Sequence, residues 1–200
     1  VKELELDPLA DIWVVPDMSI YGHVAPRKQA APPPPPTGDL PSWLKMREFR
    51  LPESTEEYTV TIAASIARAS TSTRITMPDR GERQFNRILE TLAVLRAEGE
   101  VPLPDMLHAE THLFPRGTTV IIVTPYSREE WSLAARQLTR RGLRVVTILI
   151  NPASFYGSRS AEPLFHLLQA GGQVAYMVNN GDDLTTVLSR GATQTGYFTV

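Results

Sequence analysis

Four apolar runs rich in valine and isoleucine constrain the fold of this chain more than any other feature. They fall at Ile12–Val15, Val120–Val123, Val145–Ile150 and Val174–Val178. Each run is nearly continuous, whereas a strand with one solvent-facing side alternates apolar and polar residues. Such runs are typical of strands that are covered on both faces, as in a parallel sheet. A shorter run at 74–77 is a candidate for a further strand.

Helical patterns separate these runs. Ser54-Thr55-Glu56-Glu57 has the form of a capping box, so a helix is predicted to begin there. Further helices are predicted at Arg83–Leu95, Leu103–Phe114, Arg128–Arg141 and Glu162–Ala170, with a short one starting near Asp182. This alternation predicts a doubly wound α/β fold, in which helices flank a mostly parallel central sheet.

Length and composition limit the number of domains, the kinds of ligand and the cellular compartment that this chain is expected to have. A chain of 200 residues suits a single domain, and its net charge of −2 gives no electrostatic reason to expect nucleic-acid binding. It has no cysteine, which excludes disulfides and thiol catalysis and fits a reducing compartment. No apolar run approaches the roughly 20 residues that span a bilayer. Because the chain begins at Val1, we expect it to be a fragment of a longer protein that carries a membrane anchor in its preceding part. We expect this domain itself to be cytoplasmic.

A proline-rich insertion at about 24–50 interrupts the alternation of strands and helices. It contains five consecutive prolines, Pro32–Pro36, which favour an extended polyproline II rod. It leaves the C-terminal end of the first strand, so it is expected to lie near the ends of the other strands. Two interpretations stay open: a stiff spacer, which we prefer, or a ligand for aromatic-lined grooves.

The first strand ends in a pair of oxygen donors, Asp17 and Ser19. Ligands of α/β sheets bind where strands end, and carboxylate and hydroxyl oxygens suit Mg²⁺ or Ca²⁺. A metal site at this corner is therefore one interpretation. The other is that Asp17 is a hydrogen-bonded residue at a strand-to-loop turn and that Ser19 caps the local backbone.

Motifs spread along the chain carry a family resemblance. They are Val1-Lys2-Glu3 with the first strand, Glu53–Tyr58 with Ile62–Ala67 behind it, Gly99–Leu103, and Arg140-Arg141-Gly142. In order and spacing they resemble the bacterial family called domain of unknown function 58, over nearly the whole chain except the proline-rich insertion. The resemblance implies a von Willebrand factor A-like domain. It also implies a MoxR-type AAA+ ATPase as a partner, since genes of the two kinds often occur together.

Domains of that fold commonly carry a metal-ion-dependent adhesion site. Its first loop reads Asp-x-Ser-x-Ser, and a Thr and an Asp come from a second and a third loop. Asp17 and Ser19 match the first two positions, whereas Tyr21 stands at the third. The second-loop Thr aligns with Val101 and the third-loop Asp with Pro125. The resemblance therefore implies a degenerate site in which Asp17 and Ser19 are vestigial ligands.

Three functions follow as hypotheses. The preferred one is a non-catalytic interaction module, with no catalytic residue and no resident cofactor, that contacts a protein through Tyr21, Val101, Thr124 and Pro125. The second is a working Mg²⁺- or Mn²⁺-dependent adhesion domain, rebuilt with Tyr21, Thr124 or Asp105. The third is an α/β enzyme of unrecognised type, although the chain lacks a Gly-x-Ser-x-Gly elbow, a dinucleotide fingerprint and a P-loop.

Two further clusters have competing interpretations. His108 and His112 lie four residues apart with Asp105 nearby, a trio that could bind zinc but is more simply a solvated helix face. Four arginines gather around the end of a predicted helix, namely Arg136, Arg140, Arg141 and Arg144. They are expected to complement the helix dipole rather than to form a partner site.

Overall fold

A computed structural model describes residues 12–25, 51–73 and 78–188. The run at 74–77, the five prolines and the Val1-Lys2-Glu3 motif lie outside the described residues. The predictions made for them therefore stay predictions.

The described strands form one parallel sheet of four strands in the order β1-β2-β3-β4. The strands are β1 (Ile12–Pro16), β2 (Thr119–Thr124), β3 (Arg144–Ile150) and β4 (Val174–Val178). The four Val- and Ile-rich runs are thus confirmed as strands, each to within one residue at either end. Since all four strands run in the same direction, their C-terminal ends meet at one edge of the sheet.

Helices connect the strands and cover both faces of the sheet. They are α1 (Thr55–Thr73), α2 (Pro78–Val94), α3 (Leu103–Glu110), α4 (Ser132–Arg140) and α5 (Glu162–Ala170). Short 3-10 turns lie at Thr111–Leu113, Glu129–Trp131 and Pro152–Phe155, and residues 184–188 are helical. This arrangement confirms the predicted fold class, a doubly wound, Rossmann-like α/β fold.

Each face of the sheet has its own apolar core. On one face α3, α4 and α5 pack around the fully buried Trp131, Leu138 and Leu164. On the other face Tyr58 and Ile62 of α1 pack against the strands and against Phe155. Every residue of β2 is buried, because this strand is covered on both sides. This is the burial that its continuous apolar sequence predicts.

Glycines end two of the helices as the sequence indicates. Gly142 has a φ of 85°, and its N–H bonds to the carbonyl of Thr139 while Leu143 bonds back to Leu138. This pair of bonds is the Schellman motif. Gly172, with a φ of 73°, ends α5 in the same way.

Four helix predictions need correction. The helix predicted at Arg83–Leu95 begins five residues earlier, at Pro78, and ends at Val94. The helix predicted at 103–114 ends at Glu110, because the chain tightens into a 3-10 turn that leaves Leu113 exposed. The helix predicted from Arg128 begins at Ser132, after another 3-10 turn. At the start of α1 the Ser54 hydroxyl accepts from Glu56 N, and Ser54 N donates to the Pro52 carbonyl rather than to a glutamate.

Within the described residues, no helix combines the length and the apolarity needed to cross a membrane.

Candidate functional site

Asp17 joins the ends of two neighbouring strands. Its backbone N–H donates to the carbonyl of Val123 at 2.8 Å, which continues the pairing of β1 with β2 by one residue. Its side chain is only 4% exposed. One carboxylate oxygen accepts from the Ser19 N–H at 3.0 Å, and the other accepts from the Thr124 hydroxyl at 2.6 Å. The carboxylate is therefore bound by protein donors on both oxygens.

Thr124 extends this chain of hydrogen bonds into the next loop. It is completely buried, and its hydroxyl oxygen also accepts from the Tyr126 N–H at 2.9 Å. Hydrogen bonds to a charged group contribute about 1.5–3 kcal/mol each. Asp17 and Thr124 thus fix the conformation of the loop that follows β2.

The loop after β1 is tied to α1 through His23, a residue that the sequence patterns do not single out. The Nε2 of His23 donates to the Asp17 carbonyl at 2.6 Å, and its Nδ1 lies 3.2 Å from the Thr55 hydroxyl. The same hydroxyl accepts from Val24 N at 2.8 Å. A single histidine in a loop has no distinctive pattern, so no sequence signal pointed to His23.

Gly22 allows this loop to approach the loop after β2. A Cβ on Gly22 would lie 2.9 Å from the backbone nitrogen of Tyr126 and 3.2 Å from the carbonyl carbon of Pro125. Both distances are too short for ordinary packing against rigid backbone. A glycine three residues after a strand-end Asp-x-Ser was the available signal for this close approach.

A third loop reaches the same edge through a short parallel bridge. Gly99 N donates to the Met18 carbonyl, and Ile20 N donates to the Gly99 carbonyl, each at 3.0 Å. Tyr21 lies two residues after Ser19, and Val101 lies two residues after Gly99, so the two follow the bridge on either side. The bridge thus brings together residues that are 80 positions apart in the sequence.

The predicted partner residues divide into two pairs by exposure. Tyr21 and Val101 are 56% and 59% exposed, and Ile20 beside them is 52% exposed. Thr124 and Pro125 are buried. Of the four predicted partner residues, Tyr21 and Val101 are therefore open to a partner, together with Ile20, whereas Thr124 and Pro125 are not.

The donor set at this corner fits a divalent cation poorly. Mg²⁺ requires about six oxygen ligands in octahedral geometry. Asp17 is buried and each of its carboxylate oxygens already accepts a hydrogen bond from the protein, while Val101 and Pro125 have no side-chain oxygen. One donor is uncommitted: the hydroxyl of Ser19 is buried and has no hydrogen-bond partner.

The two histidines considered as zinc ligands lie on different elements. The helix ends at Glu110, so His112 lies in the 3-10 turn, off the helical face of His108. The Nδ1 of His108 bonds to the Pro104 carbonyl and that of His112 to the Ala109 carbonyl, each at 2.8 Å. In the described part of the chain, no three His, Asp or Glu side chains gather as metal ligands would.

The arginine cluster is divided by the structure. The guanidinium of Arg136 lies against Gly171 at the end of α5. Arg140 and Arg141 instead line an open depression of about 470 Å³ with His108, Thr111 and Gln137. Arg141 donates to the Thr111 carbonyl at 3.1 Å, which ties the end of α4 to the turn after α3. This depression lies at the edge where the strands begin, opposite Asp17.

A polar network holds the loops that follow β3 and β4. The Asn151 side chain accepts from Ala153 N and Ala161 N and donates to the Asn179 side chain. The Ser154 hydroxyl donates to the Asn151 carbonyl and accepts from Asn180 N. These bonds give the polar side chains a role in loop structure, and the Ser154 hydroxyl is bonded to backbone groups within the described residues.

No family model, curated protein or solved structure matches this chain.

Proposed function

We propose that this chain is a non-catalytic protein–protein interaction module with a degenerate metal-ion-dependent adhesion site. Its partner surface is the C-terminal edge of the sheet, centred on Ile20, Tyr21 and Val101. The resemblance to the domain of unknown function 58 family makes a MoxR-type AAA+ ATPase the expected partner.

The observation that carries the proposal is the contrast between Asp17 and its neighbours. The carboxylate is buried and accepts from Ser19 N and the Thr124 hydroxyl, so its bonds stabilise the loops. Directly beside it, the three apolar side chains of the surface are each more than half exposed. Exposed apolar side chains that cluster at a loop edge are typical of interaction sites.

A pull-down with a MoxR-type AAA+ ATPase from the same organism tests the proposal. The variant Tyr21→Ser with Val101→Ser should lose at least about tenfold in affinity, because it removes the apolar centre of the surface. The matched control is Leu113→Ser, which changes an apolar side chain of similar exposure, 49%, at the opposite edge of the sheet.

Two outcomes would contradict the proposal. One is full retention of the ATPase by the double variant. The other is an equal loss with Leu113→Ser, which would show that the effect is not specific to the Asp17 edge. Circular dichroism of each variant confirms that the fold is intact.

A second candidate function is supported by the buried, unpartnered Ser19 hydroxyl. Buried polar atoms normally have a partner, and a cation beside Asp17 would supply one. The candidate is a Mg²⁺- or Mn²⁺-dependent adhesion domain. Calorimetric titration with each ion tests it: saturable heat that is lost in both Asp17→Asn and Ser19→Ala supports it, and the absence of saturable heat removes it.

A further inference from the structure

The two edges of the sheet differ in charge. We define the acidic edge as the described segments at the C-terminal ends of the strands: 17–25, 51–57, 95–102, 125–131, 151–162 and 179–183. These segments hold eleven carboxylates and three arginines. We define the basic edge as three segments at the opposite ends, around the strand starts of β2, β3 and β4: 107–118, 137–144 and 167–173. These hold four arginines and one glutamate. The small net charge of the chain thus conceals a strong separation of charge.

Ion pairs neutralise only part of the acidic edge. Arg96 lies 3.6 Å from Glu56, and Arg128 lies 3.9 Å from Glu130. Glu98 and Glu100 are exposed, and among the described residues neither lies within ion-pair distance of a basic group. The edge therefore retains a surplus of negative charge that is open to solvent.

Helix dipoles explain some of these carboxylates but not all of them. Glu56 and Glu57 lie in the first turn of α1, and Glu162 begins α5, where acidic side chains stabilise a helix. Glu98 and Glu100 lie in a loop, outside the first turn of any described helix. They flank Gly99, whose bridge to Ser19 places them beside the exposed apolar side chains. Their position is explained better by recognition than by helix stability.

We infer that the acidic edge binds a basic segment of a protein partner, one that also carries an apolar side chain to contact Ile20, Tyr21 and Val101. This inference rests on the proposed function and specifies the chemistry of its partner. An apolar centre with a charged rim is the usual arrangement of a protein interface. The rim selects a cationic partner by attraction and disfavours phosphate-rich surfaces by repulsion.

Three labelled peptides of equal length test the inference by fluorescence anisotropy with the full chain. One is lysine-rich with leucines, the second replaces its lysines with glutamate, and the third replaces its leucines with serine. The first should bind, and the other two should bind at least about tenfold more weakly, because each lacks one of the two complementary features. Raising the salt concentration should weaken the first complex, since the rim is exposed.

Charge reversal locates the site. Glu98→Lys with Glu100→Lys should reduce binding of the lysine-rich peptide at least about tenfold. The matched control is Glu82→Lys with Glu110→Lys, which changes the net charge equally at sites on α2 and at the end of α3, away from the acidic edge. This control should bind within about twofold of the unmodified chain, because neither altered charge is on the acidic edge and salt screens exposed charges over about 10 Å. Equal losses in both variants would overturn the inference.

The same variants in the ATPase pull-down separate the inference from the proposed function. One outcome is that the Tyr21 and Val101 variant loses the ATPase whereas Glu98→Lys with Glu100→Lys retains it. The proposed interaction surface is then supported, and the inference of a basic partner segment is wrong. If both retain it, both proposals fail. Analytical ultracentrifugation of the chain alone tests whether a second copy binds this surface instead. If the chain self-associates and the charge reversal abolishes this, the basic edge of a second copy binds the acidic edge. That result would overturn the inference of a different protein partner.

Discussion

The acidic and basic edges belong to the same sheet, yet their charged side chains have different roles. At the acidic edge the central carboxylate, Asp17, is buried and joins the loops of β1 and β2. At the basic edge Arg140 and Arg141 are exposed and line an open depression, and Arg141 bonds to a single backbone carbonyl. The buried, hydrogen-bonded carboxylate therefore stabilises the fold, whereas the exposed guanidinium groups contribute little to stability and are free to contact other molecules.

The largest expected effect comes from removing the buried carboxylate. Asp17→Ala should lower the free energy of unfolding by about 3 kcal/mol, because it leaves the Ser19 N–H and the Thr124 hydroxyl without their acceptor. Arg141→Ala at the basic edge should lower it by about 0.5 kcal/mol, since that side chain is exposed. Urea denaturation of the two variants measures both values. Similar losses of unfolding free energy in the two variants would contradict the assignment of a structural role to Asp17 and of a solvent-exposed role to Arg141.

A smaller difference is expected between glycines of the two edges. Gly22→Ala should cost about 2 kcal/mol, because its Cβ would press on the backbone of Tyr126. Gly142→Ala has open space around the new Cβ and should cost about 1 kcal/mol, from its left-handed backbone alone. Thermal denaturation of both variants ranks them, and the reverse order would show that the loops at the acidic edge are free to move apart.

Alkaline pH should weaken the acidic edge. Burial raises the pKa of Tyr126, and its hydrogen bond to the Glu130 carboxylate raises that pKa further. A folded-state pKa above the unfolded value contributes stability that is present below about pH 10 and is lost as the pH rises through the folded pKa. Urea midpoints between neutral and alkaline pH measure this loss, and Tyr126→Phe should make it smaller. An identical profile in the variant would assign the loss to other groups, among them Tyr176, whose pKa is also raised by burial.

The smallest effect on stability is expected at the proposed partner surface. Tyr21→Ser with Val101→Ser should change the free energy of unfolding by less than about 0.5 kcal/mol, because both side chains are more than half exposed. Chemical denaturation in urea checks this. A large loss would mean that these side chains stabilise the loops, and would remove them as a dedicated contact surface.

The secondary-structure elements were more predictable from the sequence than the contacts at the site. The four strands were predictable because burial on both faces demands an unbroken apolar run. The end of α4 was predictable because a glycine can take the left-handed conformation of its C-cap. The end of α3 was not, since nothing local in the sequence distinguishes the last helical turn at Glu110 from the 3-10 turn that follows.

At the site, sequence position alone brought Asp17, Ser19 and Tyr21 to the end of β1. Whether Asp17 faced solvent depended on Thr124, which is 107 positions away and reaches it only because β1 and β2 pair in parallel register. The role of His23 depended in the same way on Thr55. Long-range hydrogen bonds of this kind have no local pattern.

The sequence by itself determined the elements, the parallel sheet and the position of a carboxylate at a strand end, because these follow from local pattern and from the burial that each pattern requires. Only the tertiary structure decided that this carboxylate is bound by protein donors, that the Gly99 bridge brings the loop of Tyr21 next to the loop of Val101, and that charge is separated between the two edges. The physical reason is that the parallel register collects loops from distant parts of the chain at one edge, where their side chains first meet.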